Sequence, residues 1–298
     1  MTSLRERIEA EVELRGLPLR ALTVMSNLTD PYRIDTPANR RDAEWLAQAW
    51  ETSGARRPIH LRGLHYAIVS TPEVPAMPGG QPYHNTFECW TWLQAVANKA
   101  RWLGVVRFED VTDERNAAPQ IHTEYVDEIE TGISTKDGLA HLWLPGSIAD
   151  LLPEVSVSLV SARQAYRLVF IGEKQSLEAV LLPLAREYRA ELVLPTGELS
   201  TTLLYGITKR AWQDGRPCRI FYCSDFDPTG FHMPIEVSRK LQALVDDRFP
   251  ELDVQLRRCA LTADQVQDLG LPSTPMKVRF PRNFVFQAGM DRIGEMEG

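Results

Sequence analysis

The chain has 298 residues, 44% hydrophobic and 24% charged, with a formal net charge of −7. That composition excludes a disordered or low-complexity chain and suits a globular protein long enough for two cores. The acidic balance argues against a generic DNA coat, whose affinity comes from Lys and Arg neutralising phosphates, but it leaves room for one local basic groove. No apolar run approaches the ~18 residues of a membrane span and the first residues lack a secretory apolar segment, so no membrane and a cytoplasmic location are expected. Cys89, Cys218, Cys223 and Cys259 show no C-x-x-C pairing. Structural zinc is therefore not expected, and reduced core thiols are. The histidines show no ligand spacing of the H-E-x-x-H kind.

In chain order, Ser3-Leu4-Arg5-Glu6 has the form of a capping box and opens a helix over Leu4, Ile8 and Val12 that Gly16 and Pro18 stop. An irregular bridge follows. Thr36-Pro37 starts a second helix, in the order of cap and first-turn proline, which buries Leu46, Ala49 and Trp50 and ends near Gly54. At helical spacing Trp45 and Trp50 read as core and not as base-stacking platforms. In residues 56–70, Leu61, Leu64 and Ile68 share one stripe of a third helix, while Arg62 and Tyr66, four apart, share another face and can act on one substrate. Arg56 and Arg57 stand just before, placed for phosphate contact. STPEVPAMPGGQPY is a loop, after which Asn85-Thr86-Phe87-Glu88 caps a helix reaching Trp102, with Gly104 at its end. VVRFEDV suits a strand, and residues 112–150 are acidic and poorly periodic, as in connecting structure.

From Arg167 the pattern changes. RLVFIGEK, ELVLPTGE and RIFYCSDFDPTG are short apolar runs, each followed by a turn and a helical stretch, which is the mark of βαβ units in a parallel sheet. Glu173 follows the first run, and Asp225 and Asp227 follow the third. Chemistry in such sheets collects beyond the carboxyl ends of the strands, so these three acids are expected to converge. Oxygen donors of that kind suit a hard cation, most simply one or two Mg²⁺ ions. A helix near Pro234 to Asp247 and a last strand, DVQLRRCAL, follow, and Lys277, Arg279 and Arg282 cluster in the tail.

The acid after strand one, the Gly197 turn after strand two and D-x-D-P-x-G after strand three resemble the Toprim domain of topoisomerases, primases and some nucleases. GEKQSLEAVL with SDFDPTGFHMPIE is most similar to the branch formed by the topoisomerase VI A subunit and the meiotic double-strand-break protein, over residues 166 to 260. That family carries a winged-helix domain before the Toprim domain, with a catalytic tyrosine in an R-x-x-Y-Y-like pattern. Arg62-Gly63-Leu64-His65-Tyr66 resembles it, with His65 where the family often has an aromatic. The helix ending Ala100-Arg101, the short strand and Asp113 near Arg115 also resemble stand-alone relatives of plasmids and phages.

The resemblance implies an α/β chain: a helical segment over 1–54, a winged-helix (CAP-like) domain with connecting segment over 55–150, and a Toprim domain with a mainly parallel sheet plus tail over 151–298. It makes the helix before Trp102 the one presented to DNA, with Gln94, Asn98, Lys99 and Arg101 as polar candidates. It implies Mg²⁺-dependent cleavage of double-stranded DNA by a type IIB topoisomerase-like isomerase. Tyr66 would be the nucleophile, Arg62 its helper, and Glu173, Asp225 and Asp227 the metal ligands, in a nucleoid-associated homodimer that draws strand passage from a separate GHKL-type ATPase subunit. Two alternatives stay open: a Toprim nuclease using metal-activated water, and a DNA-binding subunit with idle groups.

Overall fold

The computed structural model describes residues 3–123, 131–134, 154–157 and 164–272. The tail cations at 277, 279 and 282 lie outside them, as does most of the connecting segment.

The N-terminal helices begin where capping chemistry puts them. Helix α1 (Leu4–Arg15) has its full capping box, with Glu6 N–H donating to Ser3 Oγ and Ser3 N–H to Glu6 Oε2, and Gly16 closes it in the left-handed region. The bridge is two single 3₁₀ turns, Leu19–Ala21 and Pro31–Arg33. Helix α2 (Pro37–Ser53) starts on the Thr36 hydroxyl with proline in its first turn. Strand β1 (Ile59–His60) leads into α3 (Leu61–Val69), and Thr86 caps α4 (Phe87–Trp102). Leu46, Ala49, Trp50, Leu64, Ile68, Leu93, Val96 and Ala97 from α2, α3 and α4 pack in one core. Both tryptophans of α2 belong to it, each indole N–H donating to a backbone carbonyl, Trp45 to Pro75 and Trp50 to Ala55.

VVRFEDV does not form the expected strand of a wing. Phe108–Asp110 is a 3₁₀ turn, followed by the two-residue strand β2 (Val111–Thr112), which pairs in parallel with β1. The alternation that mimics a strand is genuine, since Val106, Phe108 and Asp110 are buried. The turn instead drives Phe108 against Trp102 and flat onto Tyr205, with ring centroids 5.2 and 4.6 Å away, while Arg57 and Arg107 pair with Asp110.

The remaining elements are β3 (Gln120–Ile121), the antiparallel pair β4 (Thr131–Ser134) and β5 (Glu154–Val157), β6 (Arg167–Gly172), α5 (Glu178–Glu187), β7 (Glu191–Val193), α6 (Thr201–Asp214), β8 (Cys218–Cys223), α7 (Pro228–Asp247), β9 (Val254–Ala260) and α8 (Ala263–Asp268). The main sheet has the order β3-β7-β6-β8-β9, with β3 antiparallel at one edge and the rest parallel. Val169, Ile171, Ile220 and Tyr222 face α6 and α7, and Leu168, Phe170 and Phe221 face the α5 side. The alternation along β6 and β8 thus supplies both inner faces of a three-layer α/β unit.

The cores do not follow sequence order. Leu4, Ile8, Tyr32 and Ile34 pack with the sheet and α7, while α2 joins α3 and α4. Tyr32 Oη donates to Asp246 at 2.5 Å, and Arg239 stacks on the Tyr32 ring while donating to buried Asp30. Gln120 and Ile121, from the expected connecting segment, become the sheet edge.

At the amino end of the sheet, Arg167 and Arg210 converge on Glu191, which is fully buried, and Arg167 also reaches Asp214 at 3.1 Å. Removing one member of a buried ionic set leaves the others desolvated without a partner, at a cost of about 3–5 kcal/mol. Glu191→Ala is therefore expected to lower the urea midpoint by that equivalent. Glu9→Ala, which removes an exposed pair with Arg5, is expected to cost less than about 1 kcal/mol.

Candidate active site

The first crossover places β7 on one side of β6, and the second carries the chain back across β6 to β8. The strand order reverses between β6 and β8, and open parallel sheets hold their ligands at the carboxyl ends of the strands flanking such a reversal. Glu173 follows β6, and Asp225 and Asp227 follow β8, so all three acids stand at this one point of the sheet.

Their positions are set by the backbone. Glu173 N–H donates to Cys223 O at 2.9 Å, carrying the ladder one residue past the strands, and Glu173 Oε2 accepts from Asp225 N–H at 2.9 Å. Asp227 is the N-cap of α7 and accepts from Gly230 N–H at 2.7 Å, with Pro228 in the first turn. The helix thus begins inside DFDPTG and not near Pro234 as expected, because Asp-Pro is itself a start signal. Gly230 is required for a different reason from most turn glycines: a Cβ there would lie 2.2 Å from the Asp225 carbonyl oxygen. Pro234 has no N–H to give the Gly230 carbonyl one turn back, and the buried Ser224 hydroxyl donates to it instead, at 2.7 Å.

Two cations complete the turn, and neither was singled out from the sequence. Lys174 Nζ is bonded to the Asp225 carboxylate, and that bond raises the Lys174 pKa, opposed by burial and helped by the charges of Asp225, Glu173 and Asp227. Arg258, on β9, donates to Asp225 O at 3.0 Å and to Ser224 Oγ at 3.3 Å and lies over the Phe231 ring. Burial lowers its pKa, opposed by Asp227 and Glu173. Lys174 was visible as the neighbour of Glu173. Arg258 depends on a strand pairing that no local pattern reveals.

These residues suit a hard cation in kind: oxygen donors at one edge, with an ammonium already in the joint field of three carboxylates. They are not drawn together as a ligand set, since among the described residues no group of three or more His, Cys, Asp or Glu side chains is placed to hold a metal ion. Asp225 is engaged by Lys174, Glu173 by a backbone amide and Asp227 by its cap.

The tyrosine lies on the other core. Tyr66 is 51% exposed on α3, while Leu64, His65 and Ile68 carry that helix's burial. His65 is a packing residue: Nδ1 bonds Tyr83 Oη at 2.7 Å, Nε2 bonds Asn85 Oδ1 at 3.0 Å, and its ring meets Trp90 edge-on. Arg62 lies over Trp90, 3.8 Å from the ring centroid, so an aromatic wall holds the guanidinium on the exposed side of α3. Arg56 is exposed, whereas Arg57 is engaged by Glu51 and Asp110 and stacks on Trp50.

The helix expected to enter DNA is partly committed elsewhere. Arg101 is buried, its guanidinium donating to Thr202 Oγ1 of α6 at 2.8 Å and to Ala97 O, and burial lowers its pKa to about 10. It is therefore a seam residue between α4 and α6 and not a surface contact for DNA. Asn98 accepts from Thr201 across the same seam, and Lys99 donates to Asn39 of α2. Gln94 is exposed and, among the described residues, has no bond to another element. Among the described residues, no helix is long and apolar enough to cross a membrane.

Gly230→Ala must displace the Asp225 carbonyl, an overpacking of about 1–3 kcal/mol. A fall in melting temperature with faster amide exchange confined to 224–231 is the expected result. Lys174→Ala removes the competing ammonium, so calorimetry is expected to show Mg²⁺ binding several-fold more tightly than to the parent and lost in Asp225→Asn. No family model, curated protein or solved structure matches this chain, so its chemistry is read from these residues.

Proposed function

We propose that the protein cleaves DNA by phosphodiester transfer to Tyr66, in the manner of a topoisomerase VI A subunit. One observation carries the proposal: Glu173, Asp225 and Asp227 all follow the two strands that flank the reversal point of a parallel sheet, with the Lys174 ammonium in the field of all three. Three carboxylates at one edge repel one another unless cations offset them, and Lys174 already does so in part.

A Mg²⁺ ion held by Glu173, Asp225 and Asp227 would supply charge stabilisation at the scissile phosphate and the departing oxygen. The chain's own groups do the rest. Tyr66 presents an exposed phenol, and the neighbouring Arg62, held by Trp90, offers paired N–H donors to a phosphate. The phenol oxygen attacks phosphorus and gives up its proton. The phosphorus–O3′ bond breaks, and the 3′ oxygen takes a proton to become a free hydroxyl. The 5′-phosphotyrosyl bond keeps the energy of the cut ester, so the reverse attack reseals the strand. Arg56 extends the cationic face toward neighbouring phosphates.

Tyr66 and the acids sit on separate cores, and this supports a homodimer in which one protomer's tyrosine meets its partner's acids, one composite site for each strand. ATP-driven strand passage would then come from a separate ATPase subunit.

The test is supercoiled plasmid cleavage with Mg²⁺, quenched with denaturant and with or without protease, for the parent, Tyr66→Phe and Asp225→Asn. Protein covalently joined to 5′ ends in the parent, no adduct in Tyr66→Phe and a loss of at least about 10²-fold in Asp225→Asn are expected, the scale for removing one charge-stabilising group. If Tyr66→Phe cuts as well as the parent, water is the nucleophile and the protein is a hydrolytic nuclease. Absence of cutting in all three, with DNA binding retained, would identify a non-catalytic DNA-binding subunit.

A further inference from the structure

Two thiols lie against each other beside the acidic turn. Cys223 ends β8, Cys259 lies near the end of β9, and their thiols are hydrogen-bonded, sulfur to sulfur at 3.2 Å, with no disulfide between them. The contact depends on an irregularity in the sheet. Tyr222 pairs with Arg258 but Cys223 pairs with Ala260, so Cys259 is the extra residue of a β-bulge. The bulge leaves Cys259 next to Cys223 and lets its thiol reach the Tyr222 carbonyl. Both cysteines are only partly buried. Cys218, by contrast, is fully buried at the far end of β8, and Cys89 lies on α4.

The bulge is also what holds the turn. Just past it Ser224 N–H donates to Ala260 O and Leu261 N–H to Ser224 O, both at 2.7 Å, and Arg258, the residue before Cys259, donates to the Asp225 carbonyl. Each cysteine is therefore a short path from Asp225, Cys223 along the chain and Cys259 through its neighbour Arg258 and that residue's hydrogen bond.

We infer that Cys223 and Cys259 are a redox modification site, an oxidisable dithiol that closes to a disulfide when met by a peroxide or a low-molecular-weight disulfide, and that closure clamps the Asp225–Asp227 turn. With hydrogen peroxide, one sulfur attacks a peroxide oxygen, the O–O bond breaks, water leaves and a sulfenic acid remains. The second sulfur attacks the first and expels the oxygen as a second water. The two thiols give up two electrons and peroxide takes them. With a small disulfide, two successive exchanges release two small thiols. The sulfurs must close from 3.2 Å to about 2.05 Å, a shift within reach of side-chain rotation at neighbouring strand positions. A thiol reductant reverses the step. The cross-link itself does not depend on the proposed cleavage chemistry.

The experiment uses the full chain and three proteins: the parent, Cys223→Ser and Cys259→Ser. Each is treated with hydrogen peroxide or oxidised glutathione, then alkylated in denaturant, digested without reductant and mapped by mass spectrometry. The parent is expected to yield one linked peptide pair, Cys223 with Cys259, two hydrogens lighter than the separate peptides and restored by reductant, while Cys89 and Cys218 stay alkylatable. Neither variant yields it. Amide exchange over 224–227 is expected to slow on oxidation of the parent and to stay unchanged in both variants. Independent over-oxidation of the two sulfurs with no linked pair overturns the proposal even in the untouched parent. A linked pair with unchanged exchange at 224–227 overturns the clamp. Because neither readout is DNA cleavage, the fate of the cleavage proposal stays separate.

Discussion

The parallel pairing of β6 with β8 is the constraint on which the candidate site depends. It runs in register from Arg167 opposite Cys218 to Gly172 opposite Cys223, so the two strands end level. Level ends let Glu173 continue the ladder through its own N–H and place its carboxylate under the Asp225 amide. A one-residue slip would turn every inner side chain of one strand to the other face, so the packing of Val169, Ile171, Ile220 and Tyr222 also holds the acids at one height. The same strands carry opposite chemistry at their two ends. At the amino end, Arg167, Arg210 and Arg216 meet Glu191 and Asp214 in a buried, paired set. At the carboxyl end, part-exposed acids lie in the field of two cations, Lys174 and Arg258.

The turn itself shows how a local exception in the sequence can be a structural device. Proline inside a helix ordinarily leaves a carbonyl without its partner. Here Pro234 frees Gly230 O for Ser224, and the same glycine leaves room for the Asp225 carbonyl and gives its N–H to Asp227. Helix α7 is thereby stitched to the residues between β8 and itself by three short contacts, all built from residues of small volume.

Much of this was legible in the residues. Ser3, Thr36 and Thr86 announce the helix starts because capping is a local effect, readable within four residues. The strand runs from Arg167 to Cys223 were equally plain, and the acids after them fell where parallel strands put chemistry. What failed was non-local. Arg101 follows Lys99 on α4 and looks equally available to DNA, yet the fold turns it onto Thr202, about a hundred residues away in sequence. Phe108 and Asp110 alternate as a strand would, but Tyr205 and Arg57 hold them in a turn. Arg258 and the contact between Cys223 and Cys259 depend on a bulge, a register shift with no compositional mark. His65, between Leu64 and Tyr66, has an explanation that only packing supplies, as it is bonded at both ring nitrogens.

The first helix belongs to the far half of the chain. Leu4, Ile8, Tyr32 and Ile34 cover one side of α7, and Asp30 and Arg239 bury a charge pair there, while the very next helix, α2, turns away to join α3 and α4. The two halves are therefore interleaved and not strung in series. A C-terminal piece starting at residue 164 would not be an intact unit, because Leu4, Ile8, Tyr32 and Ile34 of its core would be missing. Asp227 caps a helix whose later turns, at Arg239 and Asp246, are held by the opening residues of the chain, so a tag, a trimmed start site or a partner that pulls on α1 loosens the far end of the helix that begins at the acidic turn.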